Sequence, residues 1–348
     1  MSGVQNIVVG EGEGDQRLDR WLRRRFPHLP QGRIEKMCRK GELRVDGGRV
    51  KTSTRLEVGQ SVRVPPIPEP GEIPEAPARP KVSDADAEMI RSCVIYRDDH
   101  VIALNKPAGL PVQGGSGQTR HVDGMGEALR FGLDENPRLV HRLDKDTSGV
   151  LLLARTREVA AALTAAFRHR ETQKIYWALV AGVPKPYLGE IKTGIVKAPG
   201  HGAKGEGEKM FAIRTGDIDS TPGAKRAHTL YATLYRVAGR ASWVAMEPVT
   251  GRTHQLRVHM AGMGHPIAGD GKYGGSAQEN QGDGWGAQLG GIISKKLHLH
   301  ARRLALLHPV TRKRLEITAP LPPHMAASWE TLGWTEDLAA DDPFEELR

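Results

Sequence analysis

Cysteine is almost missing from this 348-residue chain: Cys38 and Cys93 are the only two. They lie far apart in no metal-ligating spacing, which excludes a disulfide framework and fits a reducing, cytoplasmic setting. Long apolar runs are missing too. None approaches the roughly 18 residues that a membrane helix needs, so no membrane partner is expected. The opening stretch, Met1 to Gly14, is acidic and glycine-rich and lacks the basic and apolar regions of a secretory signal. The Gly114-Gly115-Ser116-Gly117 run lacks the Gly-Lys-Ser/Thr of a phosphate-binding loop, and no clear helix follows it, so a nucleotide cofactor is not expected. The histidines show no metal pattern. His254 and His259 are five apart and do not share a helix face. His298 and His300 stand in an alternating strand, with no carboxylate or thiol partner at a fitting spacing.

What is present is a soluble, globular composition, 39% hydrophobic and 26% charged, long enough for one large core and two or three domains. The net charge of +9 is unevenly placed. Residues 16–65 carry 14 Lys and Arg against 5 Asp and Glu, and the remainder carries 36 of each sign. All the excess positive charge therefore sits in one segment, which suits a polyanion whose counterions are released on binding.

That segment has the periodicities of a small module. Leu18, Trp21, Leu22 and Phe26 recur at helical spacing, with Arg20, Arg23, Arg24 and Arg25 largely on the other side. A second helix is expected over Gln31 to Lys40, stopped by Gly41. Leu43, Val45, Val50, Leu56, Val58, Val62 and Val64 then alternate with polar residues, broken by turns at Asp46-Gly47-Gly48 and Gly59-Gln60. The whole resembles an S4 RNA-binding domain over residues 15–64, most closely at Arg39-Lys40-Gly41-Glu42-Leu43-Arg44-Val45-Asp46. Seven prolines between Pro65 and Pro80 mark a stiff linker over 65–81. A second domain is expected over 82–330, followed by a peripheral acidic tail over 331–348.

The chain is organised around His141-Arg142-Leu143-Asp144-Lys145-Asp146-Thr147-Ser148-Gly149 and the apolar run Val150 to Ala154 that follows. The run reads as a buried strand, and the charged segment before it as a loop held at the edge of a core. Asp144 and Asp146 have the surroundings of a nucleophile or base, or of a surface ion-pair loop. Further on, Lys174 and Tyr176 share one face of a strand over Gln173 to Gly182. A cation and a ring there could hold phosphate and stack a base, or belong to an ordinary edge strand. In Gly251-Arg252-Thr253-His254-Gln255-Leu256-Arg257-Val258-His259, a strand ends, Gly251 turns, and Thr253 can N-cap a helix. On that helix Leu256, His259, Met260 and Met263 form a core-facing stripe.

The His141 to Gly149 stretch resembles, at nine positions in a row, the signature of the RluA-type family of RNA pseudouridine synthases. Asn105-Lys106-Pro107-Ala108-Gly109, the Lys174-x-Tyr176 pair, the Gly251 to His259 run, and the His265 to Asp270 and Tyr273-Gly274 stretches continue the resemblance across about residues 15–322. It implies an α+β fold, with a mixed, mainly antiparallel sheet, flanking helices and an active cleft crossing the sheet. It implies a cofactor-independent isomerase in which Asp144 is the nucleophile, Tyr176 lies against the target uracil and Arg257 pairs with Asp144. Arg142, Lys174 and Arg252, with Arg23, Arg39, Lys40 and Arg44 of the S4 segment, are the expected RNA contacts. Asp146 falls where the family varies and reads as a solvated or structural charge.

The implied partner is RNA, and within the family the chain looks most like the branch that modifies 23S ribosomal RNA of the large subunit. Gln113 departs from it, standing where that pattern often has His. A monomer is expected, with no metal and no cofactor. Two other readings stay open: the same chemistry on transfer RNA or another ribosomal site, and a non-catalytic ribosome-assembly factor built on the S4 module. A metal-dependent hydrolase is a distant third.

Overall fold

The computed structural model describes residues 3–68, 82–114, 120–168, 172–198, 209–237, 239–274, 293–339 and 342–347. Residues 69–81 of the proline-rich linker, 115–117 of the glycine run, and 199–208 and 276–292 of two glycine-rich stretches of sequence lie outside the described residues. The chain divides into two compact units, Met1–Lys81 and Val82–Arg348. Among the described residues no helix is long and apolar enough to cross a membrane.

The first unit contains β1 (Gln5–Val8), α1 (Leu18–Arg25), α2 (Gln31–Lys40), β2 (Arg44–Val45), β3 (Gly48–Arg49) and β4 (Ser61–Val64). The four strands form an antiparallel sheet in the order β1-β4-β2-β3. The helical stripe is the core: Leu18, Trp21 and Leu22 pack with Ile34, Met37, Leu43 and Leu56. Gly41 ends α2 in the left-handed region at φ 71°, where a Cβ is costly. Asp46 and Gly47, at φ 48° and 76°, make the two-residue turn between β2 and β3, the twist that a tight hairpin favours. The structure departs from expectation twice. The acidic N-terminus supplies β1, and the Val50, Leu56 and Val58 alternation yields no strand, only a single bridge between Arg17 and Arg55. Alternation needs a partner strand to become a ladder.

The second unit contains α3 (Asp84–Ser92), β5 (Val94–Arg97), β6 (Val101–Lys106), β7 (Arg138–Leu139), β8 (Ser148–Ala154), α4 (Arg157–Arg168), β9 (Gln173–Ala181), β10 (Leu188–Lys197), β11 (Met210–Ile213), β12 (Lys225–Val237), β13 (Ala241–Pro248), α5 (Gln255–Gly262), β14 (Leu299–Leu307), β15 (Arg314–Thr318) and α6 (Pro323–Thr331). The sheet runs β11-β10-β12-β13-β9-β14-β8-β6-β5, with β15 on β14 and β7 on β8. Among the described residues every pairing is antiparallel except the short β8/β14 seam, where Ser148 lies beside His300 and Gly149 beside Ala301. The fold is thus α+β with a mixed, mainly antiparallel sheet. β8 is apolar without alternation because both its faces are covered. Leu151 and Leu153 pack with Ile90 and Met125, and Val150 and Leu152 with Val159 and Leu163 of α4.

The glycine- and charge-rich stretch 198–225 contains, in its described part, β11, paired to β10. One expectation is corrected. The residues from Trp334 onward are not peripheral. Trp334 and Phe344 are buried with Trp177, Trp243, Met325 and Trp329 in one cluster, so the acidic charges hide two core anchors.

Candidate active site

One hydrogen-bonded row explains why distant motifs meet. Met246 of β13 lies beside Tyr176 of β9, Tyr176 beside Ala301 of β14, Ala301 beside Gly149 of β8, and Gly149 beside Lys106 of β6. The loop carrying Asp144 enters the sheet at this row, and the turn carrying Arg252 leaves it from the end of β13. Gly149 is the residue that permits the approach. It sits at φ 110°, and a Cβ there would lie 2.2 Å from the Ala301 carbonyl oxygen. At the same seam the Ser148 hydroxyl is 2.8 Å from His300 Nδ1.

The Asp144 loop is tied down on both sides. Leu143 and Thr147 are buried. His141 stacks on Phe167 of α4 at 4.5 Å, and its Nε2 accepts the Leu152 N–H. The Lys145 carbonyl accepts from Gly109 N–H at 2.9 Å and from Lys106 Nζ at 3.0 Å. Lys106 is fully buried, and its ammonium also donates to Pro107 O and Leu110 O. Burial lowers its pKa to about 7, against the opposing fields of Asp146 and Asp144. Lys106 is the last residue of β6 and the peg under the loop.

Held in this way, the Asp144 side chain is 22% exposed on the wall of a cleft of about 190 Å³, lined also by Arg142, Tyr176, Arg252, His254 and Arg257. An adjoining groove of about 560 Å³ shares Arg142, Tyr176 and Arg252 and adds Lys174, Phe167 and Arg168. Arg142 and Arg252 are exposed, as is Asp146. Arg252 donates from Nε to Arg226 O. Tyr176 is half-buried. Burial, then the charge of Asp144, pushes its phenol above the ordinary value, so the ring is neutral. Burial also lowers the Lys174 pKa, while Glu247 opposes it.

Arg257 requires a correction. Its guanidinium does not pair with Asp144. It is buried and bidentate with Asp270, Nε to Oδ2 at 2.8 Å and Nη2 to Oδ1 at 2.7 Å. Asp270 also accepts the N–H groups of Lys272 and Tyr273. Burial works against the Arg257 charge, but the Asp270 bonds and the fields of Asp270 and Asp144 outweigh it and its pKa is raised. Arg257 therefore reaches Asp144 through its field. Among the described residues, the basic atom nearest the carboxylate is His254 Nε2, 3.9 Å from Oδ2.

The helix start is corrected too. The N-cap of α5 is His254, not Thr253, with no side-chain cap. Gln255 organises the turn instead. Its Oε1 accepts from Thr250 Oγ1 and Arg252 N–H, and its Nε2 donates to His228 O and Thr229 Oγ1. Leu256 and Met260 are core, as expected, whereas His259 in the same stripe is held by Thr229 and Thr193 hydroxyls. Lys106, His254, Gln255, Asp270 and Tyr273 were missed as site residues, although each lies within or beside a motif. Among the described residues no group of three or more His, Cys, Asp or Glu could hold a metal ion.

Four of the expected RNA contacts, Arg23, Arg39, Lys40 and Arg44, are exposed on the N-terminal unit. Lys40 lies 3.6 Å from Glu42, and Arg44 donates to Gly41 O and Gly47 O, bracing the hairpin.

Comparison with known proteins agrees with both units. Residues 100–262 match the family described as RNA pseudouridylate synthase, and residues 16–62 match the S4 domain. "Ribosomal large subunit pseudouridine synthase C" of Vibrio cholerae is 40% identical over 326 residues, 92% of this chain and 95% of that protein. The protein of the same name in Escherichia coli K12 is 35% identical over 91% of this chain and 93% of its own length. Among solved structures, human RNA pseudouridylate synthase domain containing 4 superposes with a TM-score of 0.57 and 31% identity, covering 71% of this chain and 95% of that one.

Proposed function

The chain belongs to the RNA pseudouridylate synthase family, and from that premise we propose that it isomerises specific uridines of 23S ribosomal RNA to pseudouridine with Asp144 as the nucleophile. The observation that carries this reading is the Asp144 carboxylate, partly exposed on the wall of a cleft shared with Tyr176 and Arg142. The relatives named for the ribosomal large subunit, and the basic S4 unit, support the choice of RNA.

The reaction breaks the N1–C1′ bond of uridine and forms C5–C1′. The C5 hydrogen leaves as a proton and N1 gains one, so no oxidant, reductant or energy source enters the balance. The base has to leave the RNA stack before a carboxylate can reach it. Arg142, exposed and lining both clefts, fits the role of holding the everted strand. The neutral Tyr176 ring offers a stacking face. Lys174 and Arg252 in the adjoining groove suit the backbone phosphates. Asp144 adds either to the uracil ring or to ribose C1′; both routes need the carboxylate ionised and within reach. Arg257 supplies a positive field near it without a direct bond, because Asp270 holds the guanidinium.

The test is the pseudouridine map of ribosomal and transfer RNA in cells lacking this protein. A discrete set of positions in 23S ribosomal RNA is expected to revert to uridine and to return on complementation. Losses confined to transfer RNA overturn the target, and an unchanged map overturns the function.

A further inference from the structure

Arg257 is committed to Asp270, which leaves open what orients the nucleophile. We propose that His254, held by Tyr273, is the positioning residue for the Asp144 carboxylate and acts on it as a neutral Nε2–H donor. This rests on the reading of Asp144 as the nucleophile.

Four observations carry it. His254 sits at φ 54° immediately before α5. That is a strained region for a residue with a side chain, though one that His enters more readily than most, and it aims the imidazole into the cleft beside Asp144. The ring is fixed from behind, with Nδ1 2.8 Å from the Tyr273 hydroxyl. That hydroxyl already accepts the Met210 N–H of β11 at 2.9 Å, so its own hydrogen is free to donate to Nδ1. The imidazole proton then stays on Nε2, the atom 3.9 Å from Asp144 Oδ2. Closing by about 1 Å makes this a hydrogen bond, and such contacts commonly tighten when substrate binds.

Burial, opposed by the field of Asp144, lowers the His254 pKa and keeps the ring uncharged. The chemical sense is specific. A cation bonded to the carboxylate would fix it but neutralise its attack. Here the Arg257 charge is taken up by Asp270, with the Tyr273 ring 5.2 Å from the guanidinium, and an uncharged donor orients the carboxylate instead.

The test is single-turnover pseudouridine formation on a 23S ribosomal RNA transcript. It compares wild type, His254→Gln, His254→Leu, Tyr273→Phe and Asp144→Asn, with RNA affinity measured in parallel. Gln keeps an N–H near the Nε2 position and Leu does not. His254→Leu is expected to slow turnover about 100-fold and Tyr273→Phe about 10-fold, the scale of supporting hydrogen bonds around reactive groups. His254→Gln is expected to recover most of the rate, and RNA affinity to stay the same throughout. Nitrogen-15 spectra of the wild-type histidines are expected to show the His254 proton on Nε2, which does not depend on any variant folding. A proton on Nδ1, a fully active His254→Leu, or a His254→Gln as slow as His254→Leu overturns the proposal. An inactive Asp144→Asn beside a fully active His254→Leu defeats this inference alone; an active Asp144→Asn defeats the nucleophile assignment as well.

Discussion

Single residues at this site are constrained by backbone contact and by buried charge. Gly149 has a left-handed φ and no room for a methyl group against Ala301 O. Gly149→Ala is expected to cost about 3 kcal/mol or more, read as a fall in the denaturant midpoint and accompanied by loss of activity, because the Asp144 loop enters the sheet there. A midpoint within error of wild type contradicts the close approach. The Arg257–Asp270 pair gives a second test. Removing one partner strands a charge in the core, at a cost of about 3–5 kcal/mol. Asp270→Leu alone should be strongly destabilised, and pairing it with Arg257→Met should restore much of the loss. Independent, additive effects in that double-mutant cycle would count against the bidentate pair.

At the scale of elements, the site is a set of loops whose ends are pinned by strands. Gln255 pins the 250–252 turn with four hydrogen bonds. Gln255→Ala is expected to lower stability by about 1–3 kcal/mol and to slow turnover at saturating RNA, since Arg252 loses its anchor. Unchanged turnover would detach that turn from the chemistry. What could be read from sequence, and what could not, divides along the same elements. β8 was legible because four large apolar residues in a row need two covered faces. α2 was legible because its stripe is clean and Gly41 ends it. α3 was not, since Ile90 is its one buried residue and the rest of its sequence is polar. β10 alternates too weakly, being half exposed along most of its length. The Arg257 partner was misread for a different reason. The resemblance brings Arg257 to the cleft, but a sequence motif cannot say which of two carboxylates, Asp144 or Asp270, the chain folds against it. Trp334 and Phe344 were hidden by the acidic residues around them.

Across the whole molecule, two bulk properties follow from buried and exposed charge. His259, His298 and His300 are almost fully buried, and burial lowers each pKa from 6.5 to about 4. Above pH 6.5 these rings are neutral in the folded and unfolded chain alike. Between 6.5 and about 4 the unfolded chain takes up protons that the fold refuses. Stability is therefore complete above that window and falls as pH drops through it, by up to about 1.4 kcal/mol per pH unit for each ring. A thermal midpoint flat across the window would contradict buried neutral histidines. The second property is salt dependence. Neutralising Arg23, Arg39, Lys40 and Arg44 together is expected to weaken RNA binding and to flatten its salt dependence by about 0.7–0.9 per lost phosphate contact. Arg44 should contribute least, since its guanidinium already braces the hairpin. An unchanged slope would remove these residues from the RNA interface.

The most direct measurement of the central claim is the release of tritium from a 23S ribosomal RNA transcript labelled at uridine C5, by wild type and by Asp144→Asn. Release follows only from forming the C5–C1′ bond. Wild type is expected to release label from a discrete set of uridines, while the variant folds, binds RNA and releases none above background. Release by Asp144→Asn at the wild-type rate would contradict Asp144 as the nucleophile.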